Sequence, residues 1–452
     1  MRKFIYKEKS FLKPVLILAI PIIFQNLITS SLNLVDNLMI GSLGENQIAA
    51  VGLANQFYFL FILAMNGING GASIFMSQFY GKKDIKNIKK FLGIDLTVGF
   101  ITSLTFAILA IIFPQFIMSI FTKDLNVITL GSNYLRVVSI SYILTNLTLS
   151  FSTALRSTNQ TKIPMYGSII GLICNGFLNW VFIFGNLGSP SLGVVGAALA
   201  TTLARTFEML FIILSVYLTK NKIRCTFKEI TFNKSLLKKY FITASPVIFN
   251  DIMWSLGITC YTIAYGKIGV SAVATIQIAN TVNNLFNIFG IGMASATSIL
   301  IGNKIGAKTN DEAVVYAKRI GLYTPILGLI IGIILFIFSP MIISLFNINA
   351  ETYNNTLWIL RIMALLTPLR FFNIVMIIGV LRGGGDVNYA IFSELIAVWA
   401  YAVPIAFIST IFFNLSVIVV YILVCGEEVV KFFFEIPRFN SNKWVKDITS
   451  NI

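Results

Sequence analysis

One register repeats itself through this chain. Adding 225 to a residue number carries Pro21 to Pro246, Ile23 to Ile248, Phe24 to Phe249, Gly41 to Gly266, Gly44 to Gly269 and Ala49 to Ala274. The offset holds without a gap through Asn55/Asn280, Phe61/Phe286, Gly67/Gly292, Ser73/Ser298, Gly81/Gly306 and Lys83/Lys308. It persists at Ser119/Ser344, Phe121/Phe346, Leu135/Leu360 and Arg136/Arg361, and after one inserted residue Leu155-Arg156 meets Leu381-Arg382. A chain so constrained is two copies of one design, and whatever one half folds into, the other follows.

The medium comes from composition. With 56% hydrophobic and 12% charged residues the chain has too little polar surface to enclose itself in water, so it is read as an integral membrane protein. Windows of about 20 apolar residues give twelve predicted spans, six in each copy, separated by short polar turns. An even number of spans returns each copy to its starting side, so the repeats run parallel. The division that follows is an N-terminal six-helix lobe over 1–219, a linker over 220–235, a C-terminal six-helix lobe over 236–435 and a tail over 436–452. Gly383-Gly-Gly385 reads as a flexible turn.

A net charge of +16 raises the question of nucleic acid, which the placement of the charges answers. Of 34 lysines and arginines, 28 fall on the side of the N-terminus, counting Lys431 with the C-terminal basic residues, while Lys123 and Lys267 lie opposite. That is the positive-inside pattern, with both termini cytoplasmic in a multi-pass plasma-membrane protein. No nucleic-acid partner is expected. Cys174, Cys225, Cys260 and Cys425 show no paired or metal-like spacing. With no histidine in the chain, proton chemistry near neutral pH falls to carboxylates. No metal cluster or phosphate loop points to an enzyme or a cofactor.

Polar residues inside spans are the informative departures, because an ionised side chain at mid-bilayer costs about 2.5–3.5 kcal/mol. Gln25, Thr29, Asn33 and Asp36 line one face of the first span; Asn175 and Asn179 stand one turn apart in the fifth; Gln277, Asn280, Asn284 and Asn287 line the eighth. These stripes are expected to line a cavity or a helix contact, not lipid. In the seventh span Asp251, Trp254, Ile258, Tyr261 and Tyr265 join a carboxylate to aromatic surface, which suits an amphipathic cation. Glu394 is a third acid, in the eleventh span. Under the offset Asp36 matches Tyr261 and Asp251 matches Asn26, so neither acid belongs to the duplicated scaffold. Arg205 and Glu208 read as a structural ion pair, and Glu427 and Glu428 lie late in the last span, where water can reach.

These residues resemble the multidrug and toxic compound extrusion (MATE) transporters, and nearly the whole chain takes part. The resemblance is carried by Pro21 through Asp36 to Gly41-Ser-Leu-Gly44, Leu155-Arg156 with Pro164 and Asn175, Pro190 through Ala198 with Thr201, and Leu381 through Asp386. It implies a V-shaped pair of lobes, alternating access, and export of small amphipathic, cationic drugs by a monomer against Na⁺ or H⁺. It also places a cation site at Asp36, Asn175, Asn179 and Thr201, with Asp36 the ligand for any Na⁺; the span residues themselves suggest a substrate or proton site at Asp251, Trp254, Tyr261 and Glu394. Gln25, Asn33, Gln277, Asn280 and Asn284 are its expected cavity lining. Many members carry Asp where this chain has Asn179, which leaves Asp36 the only acid of its cluster. The similar Gram-positive-type subgroup reads Asn-Glu-x-x-Trp where this chain has Asn250-Asp251-Ile-Met-Trp254. A lipid or lipid-linked saccharide flippase of the same fold is the rival, and its anionic substrate would call for a basic cavity. An ion channel is disfavoured by two repeats that lack a ring-forming signature.

Overall fold

The computed structural model describes residues 11–226, 228–346, 348–450 and 452; the basic arm before Phe11 lies outside them. All regular structure among the described residues is helical, and the duplication governs helix ends as well as sequence. Helix α1 spans Leu12–Gly41, α2 Glu45–Gly81, α3 Ile85–Ile112, α4 Pro114–Phe121, α5 Leu125–Val138, α6 Ile140–Ser157, α7 Lys162–Phe184 and α8 Gly193–Leu218. The second copy runs through α9 Lys234–Ile268, α10 Val270–Gly306, α11 Asn310–Ile343, α12 Ala350–Arg382, α13 Val387–Ile411 and α14 Val417–Asn440.

Helices α2 and α10 are both 37 residues long and start and stop at the 225 offset. Each is entered through a glycine at positive φ, Gly44 at 133° and Gly269 at 146°, where a side chain would be strained. Asp124 caps α5 by accepting from the amides of Asn126 and Val127, and Asn349 caps α12 by accepting from Thr352. The copies diverge at proline. Pro114 starts a new helix after the break at Phe113, whereas α11 continues through Pro325 and Pro340.

Among the described residues, ten helices are long and apolar enough to cross a membrane. Helices α5 and α6, bent by 46° at Ser139, form an eleventh span together. The twelfth is α14, 24 residues long, whose Glu427, Glu428, Lys431, Glu435 and Arg438 lower its hydropathy. Lys431 is therefore not a tail residue; it is buried within α14. Glu427 and Glu428 are buried as well, not reached by water, because Lys431 and Arg370 neutralise them.

The chain forms two compact units, and the cut between them falls inside helices. One contains Phe24–Ile248; the other contains Met1–Ile23 and Phe249–Ile452. The two crossover points are themselves 225 residues apart, each two residues beyond a proline, Pro21 or Pro246. The reason is a buried stripe at helical spacing. Phe11, Val15, Ala19 and Ile22 are buried in the core that α10, α11 and α12 build. Their counterparts Leu236, Tyr240, Ala244 and Val247 are buried in the other unit, where the Tyr240 hydroxyl donates to the Ile68 carbonyl at 2.9 Å. Glycines on the facing helices admit these segments. A Cβ on Gly67 would lie 2.4 Å from Ile248 Cγ1, and one on Gly292 would lie 2.3 Å from Ile23 Cγ1.

The glycine turn at 383–385 is fixed, not free. Trp444 is wholly buried and a Cβ on Gly384 would lie 2.6 Å from its ring, while the Lys446 amide donates to the Gly384 carbonyl at 2.8 Å. Asp386 completes the clamp with Arg438 and Lys446, each at 2.6 Å. The residues after Asn440 are thus part of the second unit's packing.

Candidate cation and substrate sites

In the unit Phe24–Ile248, α1, α7 and α8 bring four of the expected residues together. Asn179 Nδ2 donates to Asp36 Oδ1 at 2.5 Å and to Asn175 Oδ1 at 3.2 Å, and Asn175 Nδ2 donates to Thr201 Oγ1 at 3.4 Å. Both asparagines are wholly buried, and Asn179 Oδ1 has no hydrogen-bond donor. Asp36 carries no ion pair among the described residues. Arg205, the basic side chain within electrostatic reach of it, is bonded instead to Glu208 at 2.8 Å. The cluster is therefore an acid beside neutral amide and hydroxyl groups, outside any salt bridge among the described residues.

A second polar chain runs beside it. Arg156 donates to Gln25 Oε1 at 2.8 Å, Gln25 Nε2 to Ser168 at 3.2 Å, and Ser168 to Glu208 at 2.9 Å. Gln25 is thus a helix-linking amide, buried rather than open to a cavity, and Arg205–Glu208 anchors the far end of the chain. Asn33 is exposed and Thr29 bonds back to the Gln25 carbonyl.

In the other unit the expected substrate residues separate. Asp251 and Glu394 converge on Arg382, each 3.4 Å from its guanidinium, and Asn250 donates to Glu394 at 2.6 Å. The last turns of α12, which deliver Arg382, are π-helical over Val375–Arg382, a widening common at functional sites. Tyr261 turns away from this group into the core and donates to Glu427 at 2.7 Å, while Trp254 is 41% exposed. The seventh span's acid-aromatic face is divided for that reason: its acid pairs with an arginine, and its tyrosine donates a hydrogen bond to a different acid. Gln277 and Asn284 are exposed and Asn280 is half-buried.

Sequence reasoning named Glu427 and Glu428 but not the charge cluster they form in this unit. Lys431 lies 3.3 Å from Glu427 and 3.8 Å from Glu428, and Glu428 is bound by Arg370 at 3.2 Å and by Asn373 at 2.8 Å. Arg370 also donates to Asn283 at 3.0 Å. The i, i+4 spacing of Glu427 and Lys431 was a legible signal; the partners on α10 and α12 were not.

The sequence profile of the MatE family matches residues 21–181 and 246–408. Its two segments begin 225 residues apart, on Pro21 and Pro246. The chain belongs to the MatE family. Among its MatE relatives, the "Probable multidrug resistance protein YoeA" of Bacillus subtilis (strain 168) is 29% identical over 89% of this chain and 88% of its own. The "Probable multidrug resistance protein NorM" of Thermotoga maritima is 22% identical over 96% of this chain and 93% of its own. A solved structure described as an "Outward-facing conformation of a multidrug resistance MATE family transporter of the MOP superfamily" superposes with a TM-score of 0.87 at 20% identity, covering 97% of this chain and 99% of that one. That likeness shows the fold, twelve helices in two lobes. The MatE family is one of transporters, and this member is a multi-pass membrane protein.

Proposed function

We propose that this MatE protein is a secondary active antiporter that exports amphipathic organic cations in exchange for Na⁺ or H⁺, as a monomer in the plasma membrane with both termini in the cytoplasm. The observation that carries the reading is the state of Asp36: a span-embedded acid bonded to the Asn179 amide, with no ion pair among the described residues and with an orphaned acceptor, Asn179 Oδ1, beside it. The group offers hard oxygens, from Asp36, Asn175, Asn179 and Thr201, which suit an alkali cation or a proton and not a soft metal.

Occupancy is the switch. A carboxylate is costly in a dry bundle and a neutralised one is not, so cation uptake at Asp36 biases the helix packing around α1, α7 and α8 toward one conformation and with it the affinity for drug. Pro21 and Pro246, each removing a backbone hydrogen bond just before the chain passes from one unit to the other, are the bending points. One charge moving through 100 mV supplies about 2.3 kcal/mol, and at 1.4 kcal/mol per decade that sustains roughly a fifty-fold drug gradient. In proteoliposomes, dye export under separately imposed Na⁺ and pH gradients identifies the coupling ion. Asp36→Asn should abolish gradient-driven export while the helical spectrum and thermal transition stay unchanged. A mutant that still concentrates dye with an imposed gradient would sink the role given to Asp36.

A further inference from the structure

One arginine of the second unit sits inside a span with nothing to balance it. Arg361 lies 11 residues after the start of α12 at Ala350, its buried Nε is without a partner, and no carboxylate or hydrogen-bond acceptor holds its side chain among the described residues. What surrounds the guanidinium is aromatic. Its Cζ stands 5.6 Å from the centre of the Trp358 ring, one turn earlier on α12, and 5.2 Å from that of Phe336 on α11. The sequence arranges this meeting. Gly328 and Gly332, one turn apart on α11, let α12 approach until an added Cβ would lie 2.7 Å from Pro368 Cα at the first and 2.4 Å from the Ala364 carbonyl oxygen at the second. One turn beyond that contact, Phe336 and Arg361 face each other across the seam.

The seam opens on lipid. Trp358 and Phe336 are exposed, and so are Leu365 and Ile333, the next residues along the same two faces toward mid-span. A surface so apolar is what a membrane protein turns to acyl chains and not to water. Depth follows from length. Ala350–Arg382 is 33 residues, about 50 Å of helix against about 30 Å of hydrocarbon; centred on the bilayer, it places Arg361 roughly 6 Å inside the boundary away from the chain's N-terminus. Side chains lean toward the start of their own helix. The contact with Trp358 has Arg361 doing so, which carries its charge up to headgroup level. In the first copy the offset gives Arg136, which is exposed, but Ile111 and Asn133 stand in place of the two rings. The aromatic cradle belongs to the second half alone.

We propose that Arg361, with Trp358 and Phe336, binds the phosphate of an anionic phospholipid in the leaflet away from the N-terminus, an acyl chain of which lies over Ile333 and Leu365. The guanidinium supplies a planar fork of donors that matches two phosphate oxygens, and the two rings hold it in place by cation–π contact. A lipid of net negative charge is the counter-ion that an arginine at this depth otherwise lacks. Water alone would neither cancel the charge nor prefer one lipid over another. The site is independent of the antiport reading: it needs only the seam between α11 and α12 and a bilayer.

The test uses the full chain in mild detergent, with phosphatidylglycerol or phosphatidylcholine added and native mass spectrometry reading the lipid retained. The wild type should hold phosphatidylglycerol in preference to phosphatidylcholine. Arg361→Gln should weaken the tightest phosphatidylglycerol binding about fivefold, the factor that one basic residue near a membrane surface contributes, and leave phosphatidylcholine binding unchanged. Arg136→Gln should bind as the wild type does, because its position lacks the rings. Phe336→Leu combined with Trp358→Leu keeps the charge but frees the guanidinium, and should weaken the same binding; it serves if Arg361→Gln does not fold. Equal retention by the wild type, Arg361→Gln and the ring variant overturns the proposal, as does an equal loss in Arg136→Gln, which would mean attraction to net charge alone. Displacement of the lipid by inorganic phosphate would mean an anion site open to water and overturns it too.

Discussion

Replacing Gly67 by alanine is the sharpest test of how the halves are assembled. Its Cβ would lie 2.4 Å from Ile248 Cγ1 and 2.9 Å from Ile248 Cα, so either α2 or the first part of α9 must move. Overpacking of this kind costs about 1–3 kcal/mol, set against the roughly 0.5–1 kcal/mol that alanine gains over glycine inside a helix. Gly52, on the same helix, has nothing within 4 Å of its added Cβ, so Gly52→Ala reports the gain alone. The two variants should therefore differ by about 1–3 kcal/mol, with Gly67→Ala the less stable. Ile248→Ala removes the Cγ1 and should relieve part of the penalty, giving a coupling of about 1 kcal/mol in a double-mutant cycle.

The duplicated site supplies the internal control. At Gly292 the added Cβ meets Ile23 Cγ1 at 2.3 Å but the Ile23 backbone only at 3.3 Å, so Ile23→Ala should relieve Gly292→Ala more completely than Ile248→Ala relieves Gly67→Ala. Equilibrium unfolding in mixed micelles, titrated with sodium dodecyl sulfate and followed by helical circular dichroism, measures all of these. Equal stability of Gly67→Ala and Gly52→Ala, or cycles with no coupling at either site, would refute the exchange of helix segments between the two units.

Two further outcomes follow from the charges. Arg370→Met leaves Glu428 buried with only Lys431 and Asn373, and breaking a buried pair from one side costs about 3–5 kcal/mol; Arg370→Met combined with Glu428→Leu should recover most of it in the same unfolding assay, and no recovery would mean the pair is not the cause. In the linker, hydrogen bonds from Lys89 and from the Thr226 amide hold Glu229 down to about 2, against an ordinary 4.5. A depressed acid contributes its stabilisation in full above its unfolded value and loses it as pH falls through the folded one, so docking of Thr226 and Glu229 on α3 should loosen between about pH 4.5 and 2. Brief pepsin digestion across that window should cut the wild-type linker progressively faster and Glu229→Gln at a rate that does not change with docking; identical profiles would remove Glu229 from the latch.

Much of this was legible because a duplication is compared within the sequence itself. The ends of α2 and α10 and the glycine entries at Gly44 and Gly269 fall where the offset puts them. The exchanged segments were not legible. In a membrane the lipid-facing side of a helix is as apolar as the buried side, so the stripe Phe11, Val15, Ala19 and Ile22 does not stand out from its surroundings, and nothing in it says which unit it enters. Asn175 and Asn179 could be paired from their spacing, but their meeting with Asp36 and Thr201 joins positions far apart in the chain and entered only through family resemblance. Asp251 shows the converse limit: an acid above aromatic residues looks like a cation site until Arg382, 131 residues away, is seen beside it. Asp95, wholly buried in α3, was not singled out although an acid inside a span is itself a signal.

The two halves share a frame and differ in what it holds. Gln25 and Asn250 are equivalent at the 225 offset, and Arg156/Arg382 and Ser168/Glu394 are equivalent one residue later. In the second half the arginine meets its countercharges directly, Asp251 and Glu394 at 3.4 Å each. In the first half it meets a neutral amide, and its connection to Glu208 runs through Gln25 and Ser168, with Arg205 closing the line. Arg156 and Arg205 are thus held by Gln25 and Glu208 and not by Asp36. Of Asp36, Asp251 and Glu394, only Asp36 can change its charge without breaking an ion pair, and coupling to an external cation is for that reason expected in the N-terminal half. Exchange of Ser168 for Glu should test this: it would recreate the second half's arrangement around Arg156, and ion-driven export should persist so long as Asp36 is intact, whereas loss of export with Asp36 in place would mean the frame, not the free acid, does the coupling.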